Sequence, residues 1–328
     1  MVVVRPFIEV LRRNNFQTEF VEEHDRLFNE AKCNGDHRAV TSHYYSMMST
    51  VIEEYFGGNF HFAPPHKENL SLDEALMELH RKIGERLGLC EGMTCVDLGC
   101  GIGGVIKDLA STGANLMGIT IAANEVKIGN EELRKLGIES TCRLVEGHCQ
   151  RMPFEDESKD SAYAVYSLKY VPCLDGIMRE VSRILKPDGR FLIYDLIKTE
   201  KYDEKNNTHI EIIEGLEYAC GMPSLHTKAE MMASAERFNL VFEGEEDLEE
   251  TNGRPFHYCF SHSSIFMWLV ESPFIGSLIS VAQKLRILPR GFQYFNRIFL
   301  SGTVEKIVNG GRLGILSGSK ILVFKKKK

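Results

Sequence analysis

From residue 94 onward, short apolar runs alternate with amphipathic stretches, the pattern of parallel strands joined by crossover helices. TCVDL at 94–98, the run 115–119, the run 140–146, SAYAVYS at 161–167 and RFLIYDLI at 190–197 read as strands. Between them a helical period covers 102–111, 122–136 and 174–185, the last stopped by Lys186-Pro187-Asp188-Gly189. Farther on, 226–238 reads as a helix, NLVFEGEE at 239–246 as a strand and SKILVFKK at 319–326 as a final edge strand. The expected fold is therefore α/β, a doubly wound, mostly parallel sheet of about seven strands. Two regions fall outside the alternation: a helical one up to about residue 91, containing the aromatic piece YFGGNFHF, and one over 248–318 broken by Gly and Pro. The expected organisation is a helical and aromatic N-terminal extension (1–91), a cofactor-binding catalytic domain (92–247) and a substrate-side extension with the last strand (248–328).

Composition narrows the function classes. Of 328 residues, 43% are hydrophobic and 26% charged, the balance of an ordinary globular protein. A net charge of -7 and the lack of a basic stripe with interleaved aromatics argue against nucleic acid as a partner. Nine cysteines without a CxxC pair suggest neither a disulfide framework nor a zinc site, so no metal and a reducing compartment are expected. The N-terminus lacks a cleavage-site pattern, and the longest weakly charged stretch, 272–283, falls short of the roughly 20 residues that span a bilayer. A cytoplasmic location is expected, and the terminal KKKK reads as a solvated tail.

The most informative stretch is Val96-Asp97-Leu98-Gly99-Cys100-Gly101-Ile102-Gly103-Gly104, which puts an acid and four glycines where a strand hands over to a helix. Gly99 and Gly101 reach backbone conformations closed to other residues and let a ligand approach the main chain. The helix start suits a carboxylate or a phosphate equally well. The spacing also satisfies GxGxxG, so a dinucleotide site competes with one for S-adenosylmethionine, and a purely structural glycine turn is the third reading. A dinucleotide site expects an acid ending the second strand, where this sequence has Thr120-Ile121. Asp97 would repel a pyrophosphate but accept hydrogen bonds from an amino-acid moiety. Both points favour S-adenosylmethionine. Glu125, one turn into the second helix, is placed to reach ribose hydroxyls, and Glu146-Gly147-His148-Cys149-Gln150 follows the third strand, where His148 and Cys149 would flank an adenine.

At these residues the sequence resembles the sterol methyltransferases and, more distantly, the cyclopropane fatty acid synthases. The resemblance rests on VDLGCGIGG, YFGGNFHF, RMPFEDESKD, LDGIMREVSRILKPDGRFLIYD, KTEKYDEKNN and the closing GRLGILSGSKILVF, and it covers most of the protein. It implies a Rossmann-like class I methyltransferase fold, S-adenosylmethionine as methyl donor, and a sterol or 3-keto steroid as substrate. It also implies that Tyr55, Phe56, Phe60, His61 and Phe62 line a sterol pocket, where aromatic faces offer roughly 0.5 to 2 kcal/mol each to a passing cation.

One departure bears on the chemistry. Members acting on the sterol side chain have an acid and a histidine after the fourth strand, where this sequence has Tyr166-Ser167-Leu168-Lys169-Tyr170. That pattern resembles the nematode 4-methyltransferases, which modify the A ring; the alternatives are methylation of C-24 in the side chain and a non-catalytic lipid-binding protein on a methyltransferase scaffold. Methylation at C-4 runs either through loss of a proton beside a 3-ketone or through attack by a ring alkene; both need a base and a polar anchor, and Tyr166, Tyr170, His61 and Asp195 are the candidates. The stretch 265–288, with Phe266, Trp268, Leu269, Phe274, Ile275 and Leu278, suits either a membrane interface or the closing of a pocket. Peripheral contact with the endoplasmic reticulum or lipid droplets follows from the first of these, and self-association stays open.

Overall fold

The computed structural model describes residues 19–56, 61–288 and 292–328. The principal elements are α1 (Glu19–Asn34), α2 (Arg38–Phe56), α3 (Leu72–Leu87), β1 (Thr94–Leu98), α4 (Gly104–Leu109), β2 (Asn115–Thr120), α5 (Ala123–Lys135), β3 (Cys142–Glu146), β4 (Lys159–Val165), α6 (Asp175–Ile184) and β5 (Leu185–Tyr194). They continue with α7 (Asn207–Cys220), α8 (Lys228–Arg237), β6 (Leu240–Asp247), α9 (Ser264–Glu271), α10 (Ile275–Lys284), α11 (Lys306–Arg312) and β7 (Lys320–Lys326). Packing sorts them into two units. One draws on Met1–Gly57, Lys198–Leu225 and His257–Ser317, the other on Gly58–Ile197, His226–Phe256 and Gly318–Lys328.

The second unit holds the sheet, in the order β3-β2-β1-β4-β5-β7-β6. β1 to β5 pair in parallel, and β7 runs antiparallel to both its neighbours. The last strand is thus not the edge that the sequence pattern suggests. Ile321 to Phe324 are all buried, the continuous apolar run of a strand covered on both faces. The edge belongs to β6, where Glu243 and Glu245 alternate outward and discourage further pairing. The turn expected at 186–189 loops out of the ladder: Lys159 pairs with Leu185 and Ser161 with Arg190, and Asp188 takes a φ of 66°. Val96, Leu98, Ile119, Phe191, Ile193 and Phe324 pack with Ile177, Val181 and Ile184 of α6 into the core. α3 starts on a reciprocal cap between Ser71 and Glu74 and ends at Gly88 in the left-handed region.

The first unit is helical. His24 Nε2 meets the Tyr218 carbonyl at 2.7 Å, the Tyr218 hydroxyl donates to Asp25, and Phe28, Ala31 and Val40 form a small apolar cluster beside Tyr218.

Candidate active site

Because β1 pairs with β2 on one side and β4 on the other, the direction in which strands are added reverses there, and the crevice beyond the strands' C-terminal ends is where doubly wound sheets bind ligands. Gly99, Gly101 and Gly103 sit at φ values of 77°, 53° and 83°, which L side chains rarely adopt. The Gly99 and Cys100 amides are consumed in closing the turn, both donating to the Ile119 carbonyl. A Cβ on Gly99 would lie 2.5 Å from Ser167 Cβ, and Ser167 Oγ donates to the Leu98 carbonyl at 2.6 Å, so the loops after β1 and β4 are locked together.

At the floor of this turn Asp97 is 3% exposed and its Oδ2 has no hydrogen-bond partner. Burial pushes its pKa up to about 7, against a smaller downward pull from the neighbouring Tyr163 hydroxyl. Cys149 lies close enough to feel Asp97 and the Gly99 backbone, and burial first of all lifts its thiol to about 12. Burial raises the Cys100 thiol as well, helped by the charges of Asp97 and Glu125. On the β2 side, Thr120 Oγ donates to Glu125 Oε2 at 2.7 Å and fixes that carboxylate. His148 is exposed at the start of a tight turn, with its Nδ1 accepting from the Gln150 amide at 3.1 Å. The structure therefore brings Asp97, Gly99, Cys100, Glu125 and Cys149 into one neighbourhood, with His148 at its rim. An orphaned buried carboxylate beneath a bare backbone turn fits the α-ammonium of S-adenosylmethionine and would repel a pyrophosphate, so the residues present fit this donor.

A second cluster follows β4. Tyr166 has a φ of 50°, a strained value for a bulky residue, enforced by its amide donating to the Tyr194 carbonyl and its hydroxyl donating to the Gly318 carbonyl, each at 2.8 Å. Around its ring stand His61 (6.1 Å between centroids), Phe62 (5.7 Å, edge-on) and Tyr194 (5.7 Å), and the Tyr194 hydroxyl donates to the Phe62 carbonyl. In the middle lies Lys169, 3% exposed, its ammonium 4.4 Å from the Tyr166 ring centre, 4.9 Å from that of Tyr170 and 4.0 Å from Asp195 Oδ1. Asp195 is fully engaged: Oδ2 accepts from the Leu168 and Lys169 amides and Oδ1 from the Leu196 amide. It organises this loop, and a base role does not suit it.

His61 opens a buried relay. Its Nε2 is 2.7 Å from His80 Nε2, and His80 Nδ1 is 2.6 Å from Asp108 Oδ2. Burial, His80 and Lys169, in that order, hold His61 well below the usual imidazole range, so it is neutral. In the tautomer where His80 carries its proton on Nδ1 toward the carboxylate, its Nε2 accepts, His61 Nε2 donates, and the lone pair rests on His61 Nδ1.

Of the anticipated substrate residues, Phe62 is a buried wall of the Tyr166 cluster. Tyr55 and Phe56 close α2 in the other unit, but their side chains, and Phe60 altogether, lie outside the described residues. Sequence reasoning missed Lys169, His80, Asp108 and Gly118. Gly118 is required because a Cβ there would sit 2.5 Å from both Cys100 Sγ and Leu144 Cδ2. Lysine is so rarely buried that Lys169, between two tyrosines, reads as a surface residue. Nothing in the spacing links His80 and Asp108.

A family described as a methyltransferase domain matches residues 96–193, the span from β1 through β5. The protein is 57% identical to the sterol 4-C-methyltransferase of Caenorhabditis elegans, across 96% of its own length and 95% of that relative's. It is 27% identical to the sterol 24-C-methyltransferase of Yarrowia lipolytica, across 89% and 80% of the two sequences. In fold it is similar to the geranyl diphosphate C-methyltransferase from Streptomyces coelicolor, solved with S-adenosyl-L-homocysteine, with a TM-score of 0.61, 17% identity, and 85% and 92% of the two proteins covered. The protein belongs to the sterol methyltransferase family.

Proposed function

We propose that the enzyme methylates C-4 in the A ring of a 3-keto steroid by way of an enolate. The observation that carries this reading is Lys169: the ring faces of Tyr166 and Tyr170 already look onto a built-in ammonium, buried where low dielectric magnifies its field. An ammonium on those ring faces, its charge partly offset by Asp195 at 4.0 Å, leaves them closed to a carbocation, the species that alkene methylation generates, and is compatible with an enolate. The donor, when bound, supplies an electrophilic methyl whose C–S electron pair leaves with sulfur. His61 Nδ1 takes the C-4 proton, and the electron pair released at C-4 forms the new C–C bond. The proton then moves outward as His61 Nε2–H passes to His80 and His80 Nδ1–H to Asp108, whose side chain is 30% exposed and returns it to water. Burial first, then His80 and Lys169, keeps His61 unprotonated between turnovers.

The 57% identity to a sterol 4-C-methyltransferase supports the substrate class and the position. The work would be done where sterols dissolve, at the cytoplasmic side of the endoplasmic reticulum or of lipid droplets; among the described residues no single helix is long and apolar enough to cross a membrane. The test offers the enzyme a 3-keto steroid and the 3β-hydroxy sterol of identical side chain. The ketone should turn over and the alcohol should not. His61→Gln should lower kcat by about a hundredfold or more with KM within a few-fold, and His80→Asn should shift the pH profile of kcat while a conservative loss of packing would not. Equal turnover of ketone and alcohol would overturn the enolate route.

A further inference from the structure

In a helix on the surface of a water-soluble unit, apolar residues face inward and polar ones outward. α9 and α10, both in the helical unit, break that rule. Met267 and Val270 of α9 and Ile279 of α10 are buried, so each helix already has an inner face. The outward positions are apolar as well: Ile265 and Trp268 on α9 are 75% and 68% exposed, and Phe274, Leu278, Val281 and Leu285 recur at the spacing of one helical stripe, with Phe274 72% and Leu285 65% exposed. Ile287 continues the exposed run. Neither helix spans a bilayer, and the pair bends by 83° at its break, so the geometry suits two short helices lying in an interface.

Charge identifies the occupant. With 46 acids in 328 residues, an average segment the length of 254–304 would hold about seven; this one holds only Glu271, and Glu271 is paired with Arg312. The same segment contains Arg254, Lys284, Arg286, Arg290 and Arg297, and Lys284 and Arg286 are exposed beside the apolar stripe. An apolar surface flanked by the exposed Lys284 and Arg286, on a protein whose net charge is -7, matches the layered chemistry of an anionic bilayer: hydrocarbon within reach of negative headgroups.

We infer that α9, α10 and the turn after them form a membrane-docking surface that inserts Trp268, Phe274, Leu278, Val281 and Leu285 into an anionic lipid interface, with Lys284 and Arg286 at the headgroups. This inference does not depend on which sterol is methylated.

Trp268 is the protein's single tryptophan, so the intact molecule reports on its own docking. In dilute buffer its emission should be that of a wet indole; on vesicles of phosphatidylcholine with about a third phosphatidylserine it should shift to the blue and be quenched by brominated acyl chains. Phe274→Gln with Leu278→Gln should lower vesicle partitioning by about tenfold or more, with circular dichroism unchanged because both side chains are solvent-facing. Lys284→Gln with Arg286→Gln should lower it by several-fold on anionic vesicles only, and added salt should erase that difference. A blue emission without lipid that deepens with protein concentration would assign the face to a second copy, and one independent of concentration to another segment of the same molecule. Either result, or no spectral change on vesicles, would overturn the proposal.

Discussion

Asp97 sets a pH dependence that can be worked out at the level of one residue. Burial raises its folded-state pKa to about 7, above the usual carboxylate value, so folding favours the protonated acid and the ligand-free protein loses stability as pH rises from about 4 to about 7. Pairing with the ammonium of S-adenosylmethionine requires the ionised acid. Binding below pH 7 must therefore release a proton, and the Kd should rise by up to tenfold per pH unit between about 7 and 5 and be flat above 7.5. Calorimetry in buffers of different ionisation enthalpy reads both quantities, and a Kd constant over that window would remove Asp97 from the ammonium. Asp97→Asn should weaken binding by about 10- to 100-fold at pH 8. Asp97 and the glycines after it were legible in the sequence because a strand, an acid and a bare turn must be neighbours along the backbone. Lys169, His80 and Asp108 were not, because their partnerships exist only once α3, α4 and the loop after β4 have packed.

At the scale of elements, most strands and helices follow from apolar periodicity, but the position of the last strand does not. Periodicity tells which faces of a strand are covered and says nothing of which strand lies beside it; the run Ile321 to Phe324 has the signature of two-sided burial, while its place at the C-terminus favours an edge. The interior position has a consequence. Phe324 is fully buried between Phe191 and Phe242, so Phe324→Ala should cost about 3 to 5 kcal/mol in urea unfolding, whereas Val241→Thr on the half-exposed edge strand should stay within about 0.5 kcal/mol. Similar small losses for both would place β7 at an edge after all. In β2, behind the cofactor loop, Gly118→Ala drives a methyl into Cys100 and Leu144, and its expected cost is about 1 to 3 kcal/mol together with weaker binding of S-adenosylmethionine, read by thermal shift with and without the donor.

For the whole molecule, each unit is assembled from three separated stretches of sequence. The cofactor turn and the acceptor groups alike lie in one continuous stretch of the second unit, so what left the acceptor chemistry open is separation along the sequence within that stretch. The cofactor turn is local, while the groups that decide between enolate and carbocation, Lys169 with Tyr166 and the His61 relay, come from β4's loop, from the segment before α3, from α3 itself and from α4. A stabilisation of about 2.7 kcal/mol is expected from S-adenosylmethionine at a hundred times its Kd and none from NAD. The position at which the new bond forms is read by NMR of the steroid product after turnover with donor labelled by 13C in the methyl group. Methylation of the A ring should give a methyl doublet coupled to the proton at C-4, lost in the His61→Gln enzyme. A label on the side chain at C-24 would contradict it.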